Sequence, residues 1–448
     1  MRRSNQSLRL VLGLVAVGVL MSLPVIWRLL TWKRVDSAMA QAGFELFHHE
    51  WKAGDSLSPE GDGLGPVFNA TSCVACHNQG GSGGGGSIEH NVISFSVRQG
   101  KEKPREGVLH ARAIREEFRE RLSDVHPNLP PTSHGELWGE LRNGQGRLQF
   151  GGGQMMGGSP VIVSQVNTPA LFGSGLIDAL PDRVLIAEEE RQRASHPSAE
   201  ERDHLERRRE QLAGMKGQQA GPPPELPIGR VSRLADGRIG KFGWKGQTAT
   251  LSDFVQAACA NKLGLGNPNH PQPRSLHKPD YASPGLDLTQ QQCDQLTAYV
   301  ASLDAPRERA PTDIHGRIDA VAGKQLFNKI GCADCHAPKL GDIDGIYSDL
   351  LLHRMSDDMG GGAGYRGEIV AAATADQNGG PEAREWRTPP LWGLADSAPY
   401  MHDGRAVTLE QAIKLHGGQG ERAATRYGEL KEAERKQVLA FLGTLRVP

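Results

Sequence analysis

The chain has 448 residues, with 51 lysines and arginines against 52 aspartates and glutamates. This balance excludes a protein that binds polyanions through a high positive charge, so we expect no nucleic-acid partner. Aromatic residues make up only 5% of the chain, while 56 glycines and 28 prolines indicate much irregular backbone. A large sheet protein fits this composition poorly, and we predict a mainly α fold.

The N-terminus carries a segment for export or membrane anchoring. Arg2, Arg3 and Arg9 precede an almost uninterrupted apolar run over residues 10–27. Its length lies between the core of a signal peptide and a full membrane span, and the preceding basic residues favour a cytoplasmic N-terminus. We predict that residues 1–35 anchor the chain on the periplasmic side of the bacterial inner membrane. Cleavage, the alternative, would release the protein into the periplasm.

The rest of the chain contains an internal repeat. Four segments of the first half, at residues 43–47, 73–77, 167–171 and 250–255, recur in the same order at 323–327, 332–336, 387–391 and 408–413. Their sequences are GFELF, CVACH, NTPAL and TLSDFV in the first half, and GKQLF, CADCH, RTPPL and TLEQAI in the second. A repeat of ordered signals predicts a duplicated architecture.

Each half closes with an amphipathic helix. Apolar residues recur at helical spacing in both, namely Leu296, Tyr299, Val300 and Leu303 in the first and Val438, Phe441, Leu442 and Leu445 in the second. We predict two tandem cytochrome c-like domains with large loop insertions, at residues 36–304 and 316–448, joined by a polar, proline-rich linker. The charged segment 183–226 is predicted to be a solvated helical insertion in the first domain.

The repeated Cys-x-x-Cys-His motif indicates covalent haem. Two thiols at this spacing add to the two vinyl groups of one porphyrin, and the adjoining histidine then binds the iron as proximal ligand. A closed zinc site would need four ligands, and a thioredoxin-like site would not need the histidine in both copies. We predict two haem c groups, attached at Cys73 and Cys76 and at Cys332 and Cys335, with His77 and His336 as iron ligands.

The repeat also predicts the sixth ligands. The ninth residue counted from Thr408 is His416, whereas the ninth counted from Thr250 is Ala258. We therefore predict that His416 completes a six-coordinate electron-transfer haem with His336, and that the first haem is open and carries the reaction. Met401 is the rival ligand of the second haem, and a haem with neither ligand is the third possibility.

Other candidate residues are weaker. Asp253 is a candidate proton donor beside the open iron. An ordinary exposed aspartate at the start of a helix is an equally good interpretation. Five histidines in polar or glycine-rich contexts are predicted to lie in surface loops, with any one able to cap the first iron: His48, His49, His90, His134 and His353. Met155 and Met156 are predicted to pack rather than bind iron. Cys293 is predicted to be a buried core residue, and a disulfide with Cys259 is the alternative.

Beyond these patterns, the chain resembles a known family. Residues 62–73, 242–251, 347–353, 386–393 and 402–406 look like the corresponding segments of the di-haem oxidoreductases that have been labelled thiol oxidoreductases. That family is similar to the di-haem bacterial cytochrome c peroxidases and to the di-haem enzyme of methylamine utilisation. The resemblance implies two cytochrome c-like domains whose haems face a shared interface, with a calcium ion there as a further expectation.

Two departures from the peroxidases stand out. Their residue at the His416 position is methionine, which implies a lower potential for the second haem here. The tryptophan that they carry between the haems, shortly before the segment matching residues 167–169, is absent from this sequence.

We predict a peroxidase-like oxidoreductase that receives electrons from a small electron-donor protein or a quinol-linked carrier. The alternatives are a pure electron-transfer cytochrome and an oxygenase or oxidase acting on an organic or protein substrate.

Overall fold

The computed structural model describes residues 36–97, 105–143, 147–150, 161–195, 226–360, 370–371 and 384–447, with isolated positions between 203 and 215. The predicted anchor at 1–35, and Met155 and Met156, lie outside the described residues. Within these ranges, no helix has the length and apolar character needed to span a membrane.

Helices run through both halves of the chain. They are α1 Ser37–His48, α2 Cys73–Cys76, α3 Leu122–Val125, α4 His134–Asn143, α5 Ser174–Ala179, α6 Asp182–Ala194, α7 Leu251–Leu263, α8 Gln290–Ser302, α9 Ile314–Ile330, α10 Leu409–Lys414, α11 Glu421–Glu429 and α12 Glu432–Leu442. Thr250 and Thr408 cap α7 and α10, because each hydroxyl accepts a hydrogen bond from the backbone three residues later. The equivalent TL segments thus begin equivalent helices.

The two repeats form the same helix crossing. Helix α1 packs across α8, and α9 packs across α12. At the crossings, a Cβ on Gly43 would lie 1.9 Å from the carbonyl oxygen of Gln295, and one on Gly323 would lie 1.8 Å from that of Gln437. Only glycine permits such a close approach of two backbones. The predicted apolar residues of α8 and α12 are buried, except for Leu303, which is half-buried directly after α8.

A five-stranded antiparallel sheet corrects the expectation of a fold without a substantial sheet. The strands are β1 Val67–Phe68, β2 Val92–Val97, β3 Arg105–Leu109, β4 Arg112–Ala113, β5 Arg147–Phe150, β6 Val161–Val166, β7 Ser232–Arg233, β8 Ile239–Gly240, β9 Lys339–Leu340, β10 Ile343–Asp344, β11 Leu352–Arg354, β12 Val370–Ala371 and β13 Glu385–Arg387. The sheet has the order β12-β3-β2-β6-β5, and the other strands form two-stranded pairs. Its central strands are rich in β-branched residues, a local signal that overall composition does not reveal.

Helix α6 corrects the interpretation of residues 183–226 as a solvated excursion. Leu185, Glu189 and Gln192 are buried on one side of this helix. Helix α6 therefore packs against the body of the protein, and its last turn reaches the second repeat. Most of residues 196–225 lie outside the described residues.

Candidate haem sites

The first Cys-x-x-Cys-His motif forms the short helix α2, with His77 directly after it. The backbone N–H of His77 donates to the Cys73 carbonyl, and its Nδ1 lies 3.3 Å from the carbonyl oxygen of Gly84. Burial lowers the pKa of His77 to about 4. The imidazole is therefore neutral near pH 7, which is the form that binds a metal ion.

A cavity of about 90 Å³ adjoins this motif. Cys73, Cys76 and His77 line it, and Ala258 on helix α7 lies in its wall, where the repeat places the counterpart of His416. His90, predicted to lie in a surface loop from which it could cap the first iron, also lines this cavity. The loop that follows the motif folds back and brings His90 to the first site.

Asp253 does not line either cavity. Its carboxylate lies 2.9 Å from Nε2 of His270, and its backbone N–H donates to the capping hydroxyl of Thr250. The hydrogen bond from His270 lowers the pKa of Asp253. Cavity-lining residues such as Phe254 and Ala258 occupy a different face of α7. The structure therefore favours the helix-start role of Asp253, and we do not propose it as the proton donor.

The second motif places two histidines opposite each other. Nδ1 of His336 lies 3.0 Å from the carbonyl oxygen of Tyr347, and Nδ1 of His416 lies 2.7 Å from that of Ala412. His416 follows the end of helix α10 rather than lying within it. The two ring centroids are 6.4 Å apart, with the ring planes at 65°. Burial lowers the pKa of both imidazoles, that of His336 to about 4.

The separation of these rings fits an iron ion between them. An imidazole nitrogen binds a transition metal at about 2.0 Å and lies about 1.1 Å from its own ring centre, so two imidazoles on opposite sides of one ion have centroids about 6.2 Å apart. The 6.4 Å between His336 and His416 is close to this value. Because both Nδ1 atoms are engaged by backbone carbonyls, Nε2 is the nitrogen available to the metal in each ring.

A larger cavity of about 310 Å³ contains this histidine pair. Cys332, Cys335 and both histidines line it, and so does Met401, the rival ligand. Met401 has a positive φ of 74° in the turn that precedes helix α10. The ring contact with His336 is made by His416.

All six cysteines are unpaired. Burial raises the pKa of Cys73 and of Cys332 to about 12, so these thiols are protonated near pH 7. Cys259 and Cys293 are buried in the hydrophobic core of the first half. The core interpretation of Cys293 is therefore confirmed, and the disulfide alternative is wrong for this structure.

The two cavities adjoin. The residues shared by their walls are Asn167, Thr168, Pro169, Leu171 and Phe254. The indole N–H of Trp244 donates to the Asn167 carbonyl at 2.8 Å. The sequence has no tryptophan shortly before residue 167, but the fold brings one to the junction from a segment about 80 residues away.

Two buried histidines were not identified as site residues from the sequence. His353, predicted to lie in a surface loop, is 3% exposed and its Nδ1 lies 3.5 Å from the sulfur of Cys335. His402 stacks on Trp386 with centroids 3.6 Å apart, and burial lowers its pKa to about 4. Both line the larger cavity. His353 and His402 lie in segments 347–353 and 402–406, which carry the family resemblance. Those segments were the sequence signal that could have identified both histidines as site residues.

A group of possible metal ligands adjoins the second motif and shares Cys335 with it. Within the part of the chain that the structure describes, the one group of three or more cysteine, histidine or acidic ligands is Cys335, Asp349 and His353. A thiol and an imidazole do not suit calcium, which prefers oxygen ligands. This group therefore does not support the predicted calcium ion.

Comparison with known proteins gives relatives named as a cytochrome c peroxidase and as a methylamine utilization protein. Over 222 residues the chain is 31% identical to the cytochrome c551 peroxidase of Nitrosomonas europaea, covering 45% of this chain and 60% of that protein. Over 134 residues it is 32% identical to the methylamine utilization protein MauG of Methylorubrum extorquens, covering 29% of this chain and 35% of that protein. The chain thus spans between about a third and three fifths of these relatives.

Solved structures give weaker likenesses. A MauG-like protein associated with microbial copper homeostasis matches with a TM-score of 0.30 and 17% identity, covering 48% of this chain and 74% of that one. Hydrazine synthase of Kuenenia stuttgartiensis matches with a TM-score of 0.29 and 18% identity, covering 45% and 63%. Scores this low carry no conclusion about architecture.

The family itself is clear from a family model. The model described as "Di-haem oxidoreductase, putative peroxidase" matches residues 163–445. This range is more than half of the chain, and it includes the second Cys-x-x-Cys-His motif and His416. The chain belongs to the di-haem oxidoreductase family.

Proposed function

We propose that this protein is a di-haem c oxidoreductase of the peroxidase type. One haem is attached at Cys73 and Cys76 with His77 as ligand, and the other at Cys332 and Cys335 with His336. The observation that carries this proposal is the pair His336 and His416, whose rings are separated by the distance that two iron–nitrogen bonds require. Family membership supports it independently.

The two haems have different roles in this proposal. A haem with two protein ligands transfers electrons, whereas one with an open position binds peroxide or oxygen. His416 closes the second site, while its counterpart at the first site is the methyl side chain of Ala258. We therefore assign electron transfer to the second haem and the reaction with a small oxidant to the first.

His90 replaces Asp253 as the candidate proton carrier. Its imidazole lines the first cavity, as does that of His77. An imidazole is a side chain that can exchange a proton with a molecule bound beside it. The adjoining walls of the two cavities, with Asn167 and Trp244 at the junction, support electron exchange between the sites.

The setting of the protein follows from the same proposal. We place it in the periplasm, held to the inner membrane by residues 1–35, as two haem domains at 36–304 and 316–448. The N-terminal basic and apolar sequence supports this location. A small electron-donor protein or a quinol-linked carrier would reduce the second haem. The cytochrome c551 peroxidase name of one relative agrees with such a donor.

A pure electron-transfer cytochrome is the second candidate function. His90 favours it, because a second histidine at the first cavity is able to close the first iron as well. In that case neither haem would take up an external ligand, and the protein would act only as a carrier.

Counting covalent haems tests the attachment sites. We expect two haems per chain in the wild type by the pyridine haemochrome assay, and one in each of the double variants Cys73→Ala/Cys76→Ala and Cys332→Ala/Cys335→Ala. Cys293→Ala is the matched control, since this cysteine is buried in the core and belongs to neither motif, and it should retain two. Two haems in either double variant would disprove the assignment.

Carbon monoxide distinguishes the two candidate functions. We expect the reduced wild type to bind one molecule per chain, at the first haem. No binding in the wild type, but one molecule in His90→Leu, would show that His90 closes the first site and would favour the carrier. Turnover of hydrogen peroxide with a reduced small cytochrome as donor then tests the peroxidase reaction directly.

A further inference from the structure

A buried charged pair lies beside the second haem site and has no part in the proposal above. Asp349 is fully buried and His353 is 3% exposed. Nε2 of His353 lies 2.7 Å from Oδ2 of Asp349, a hydrogen-bonding distance. Two oppositely charged groups in such a position need further hydrogen bonds to offset the loss of water. The neighbours of this pair supply them.

The hydrogen bonds around His353 define its protonation state. Gln419 donates through Nε2 to the carbonyl of Ile228, so its Oε1 faces Nδ1 of His353 at 2.8 Å and accepts a hydrogen bond from it. The other ring nitrogen faces the Asp349 carboxylate, which also accepts from the backbone N–H of Leu351. Both ring nitrogens thus donate to acceptors, which is the arrangement of an imidazolium ion.

The pair is tied to the haem attachment motif. The backbone N–H of Asp349 donates to the Cys335 carbonyl at 2.9 Å, and Nδ1 of His353 lies 3.5 Å from the Cys335 sulfur. On its other side, Gln192 at the end of helix α6 donates to Asp349 at 2.8 Å and accepts from the backbone N–H of Gly229. These bonds hold the pair in one place.

The pair also holds the loop that follows His416. Gln419, the partner of His353, belongs to this loop. A Cβ on Gly418 would lie 2.6 Å from the carbonyl oxygen of Arg354, and one on Gly417 would lie 2.7 Å from the Ser356 side chain. The loop therefore packs closely on strand β11 and the residues after it, and His353 supplies a charged hydrogen bond across this contact.

We propose that His353, held by Asp349, is a positioning residue that fixes the loop of His416 against strand β11 and so keeps the second haem six-coordinate. The inference rests on the proposed function, because it takes His416 as the sixth ligand. Nδ1 of His353 lies next to both the attachment motif and the ligand loop, and Nε2 faces Asp349. The loss of His353 therefore frees the loop and leaves the Asp349 carboxylate without its cationic partner.

The experiment measures coordination in the purified haem-loaded protein. Gln419→Leu removes the hydrogen bond to the imidazolium, and we expect the carbon monoxide-accessible fraction of the second haem to rise about tenfold, as the loss of a hydrogen bond to a charged group predicts. His353→Leu should raise it further and shift the reduction potential of that haem. His353→Gln keeps a donor and should restore most of the low-spin signal.

The matched control is His270→Leu, which breaks another histidine–aspartate pair, 2.9 Å long, in the first half of the chain. It should leave the second haem unchanged. Wild-type coordination and potential in both His353→Leu and Gln419→Leu would overturn the inference. A wild type that lacks the bis-imidazole signal would instead contradict the proposed function, so the two failures are distinguishable.

Discussion

Replacing His416 with alanine is expected to open the second haem. The His336 and His416 rings are 6.4 Å apart, and in the proposed site the iron lies between them, so the variant would lose one of the two proposed axial ligands. Its low-spin bis-imidazole component should disappear from the optical and paramagnetic spectra. Carbon monoxide binding should increase from one to two molecules per reduced chain.

Met401→Leu is the matched control for this experiment. Met401 lines the same cavity and is the rival ligand, but the ring contact with His336 belongs to His416. The leucine variant should keep both spectral components of the wild type. Loss of the low-spin signal in Met401→Leu, with its retention in His416→Ala, would show that Met401 and not His416 is the sixth ligand.

Replacing Gly323 with alanine is expected to destabilise the second repeat. The new Cβ would lie 1.8 Å from the carbonyl oxygen of Gln437, so helices α9 and α12 must move apart at their crossing. Overpacking a core costs about 1–3 kcal/mol, and contact with a backbone atom places this variant at or above the upper end. We expect a marked loss of thermal stability and of covalent haem at Cys332 and Cys335. Gly43→Ala should affect the first site in the same way.

Gly428→Ala provides the control within a neighbouring helix. Nothing lies within 4 Å of a Cβ at this exposed position of helix α11. Alanine has a helix propensity better than that of glycine by about 1 kcal/mol, so this variant should be unchanged or slightly more stable. Equal stability of Gly323→Ala and Gly428→Ala in thermal unfolding would show that the crossing is not the reason for the glycine.

The parts of the site that could be predicted from the sequence are those encoded by local spacing. The Cys-x-x-Cys-His residues are neighbours in the chain, and the capped helices at Thr250 and Thr408 begin in the same way in both halves. Counting nine residues from each capping threonine located Ala258, within helix α7, and His416, two residues beyond the end of helix α10. Both residues line the cavities that the count assigned to them.

The parts that could not be predicted depend on contacts between distant segments. The sequence predicted that His353 lies in a surface loop. In the structure, it is buried where strand β11 contacts the Gly417–Gly420 loop and where Gln192 of helix α6 binds its partner Asp349. The sequence made Asp253 a candidate proton donor near the iron, whereas the structure pairs its carboxylate with His270. The pairing of β12, from the second half of the chain, with β3 of the first half also joins distant segments and could not be predicted from local sequence.

The sequence by itself determined the repeated segments, the two Cys-x-x-Cys-His motifs and the candidate ligand of the second proposed haem, because each of these signals lies within a few neighbouring residues. Only the tertiary structure decided which buried groups surround those motifs, among them Trp244 at the junction and the pair of Asp349 and His353. Burial and charge pairing arise when segments far apart in the chain meet, and no local pattern specifies those meetings.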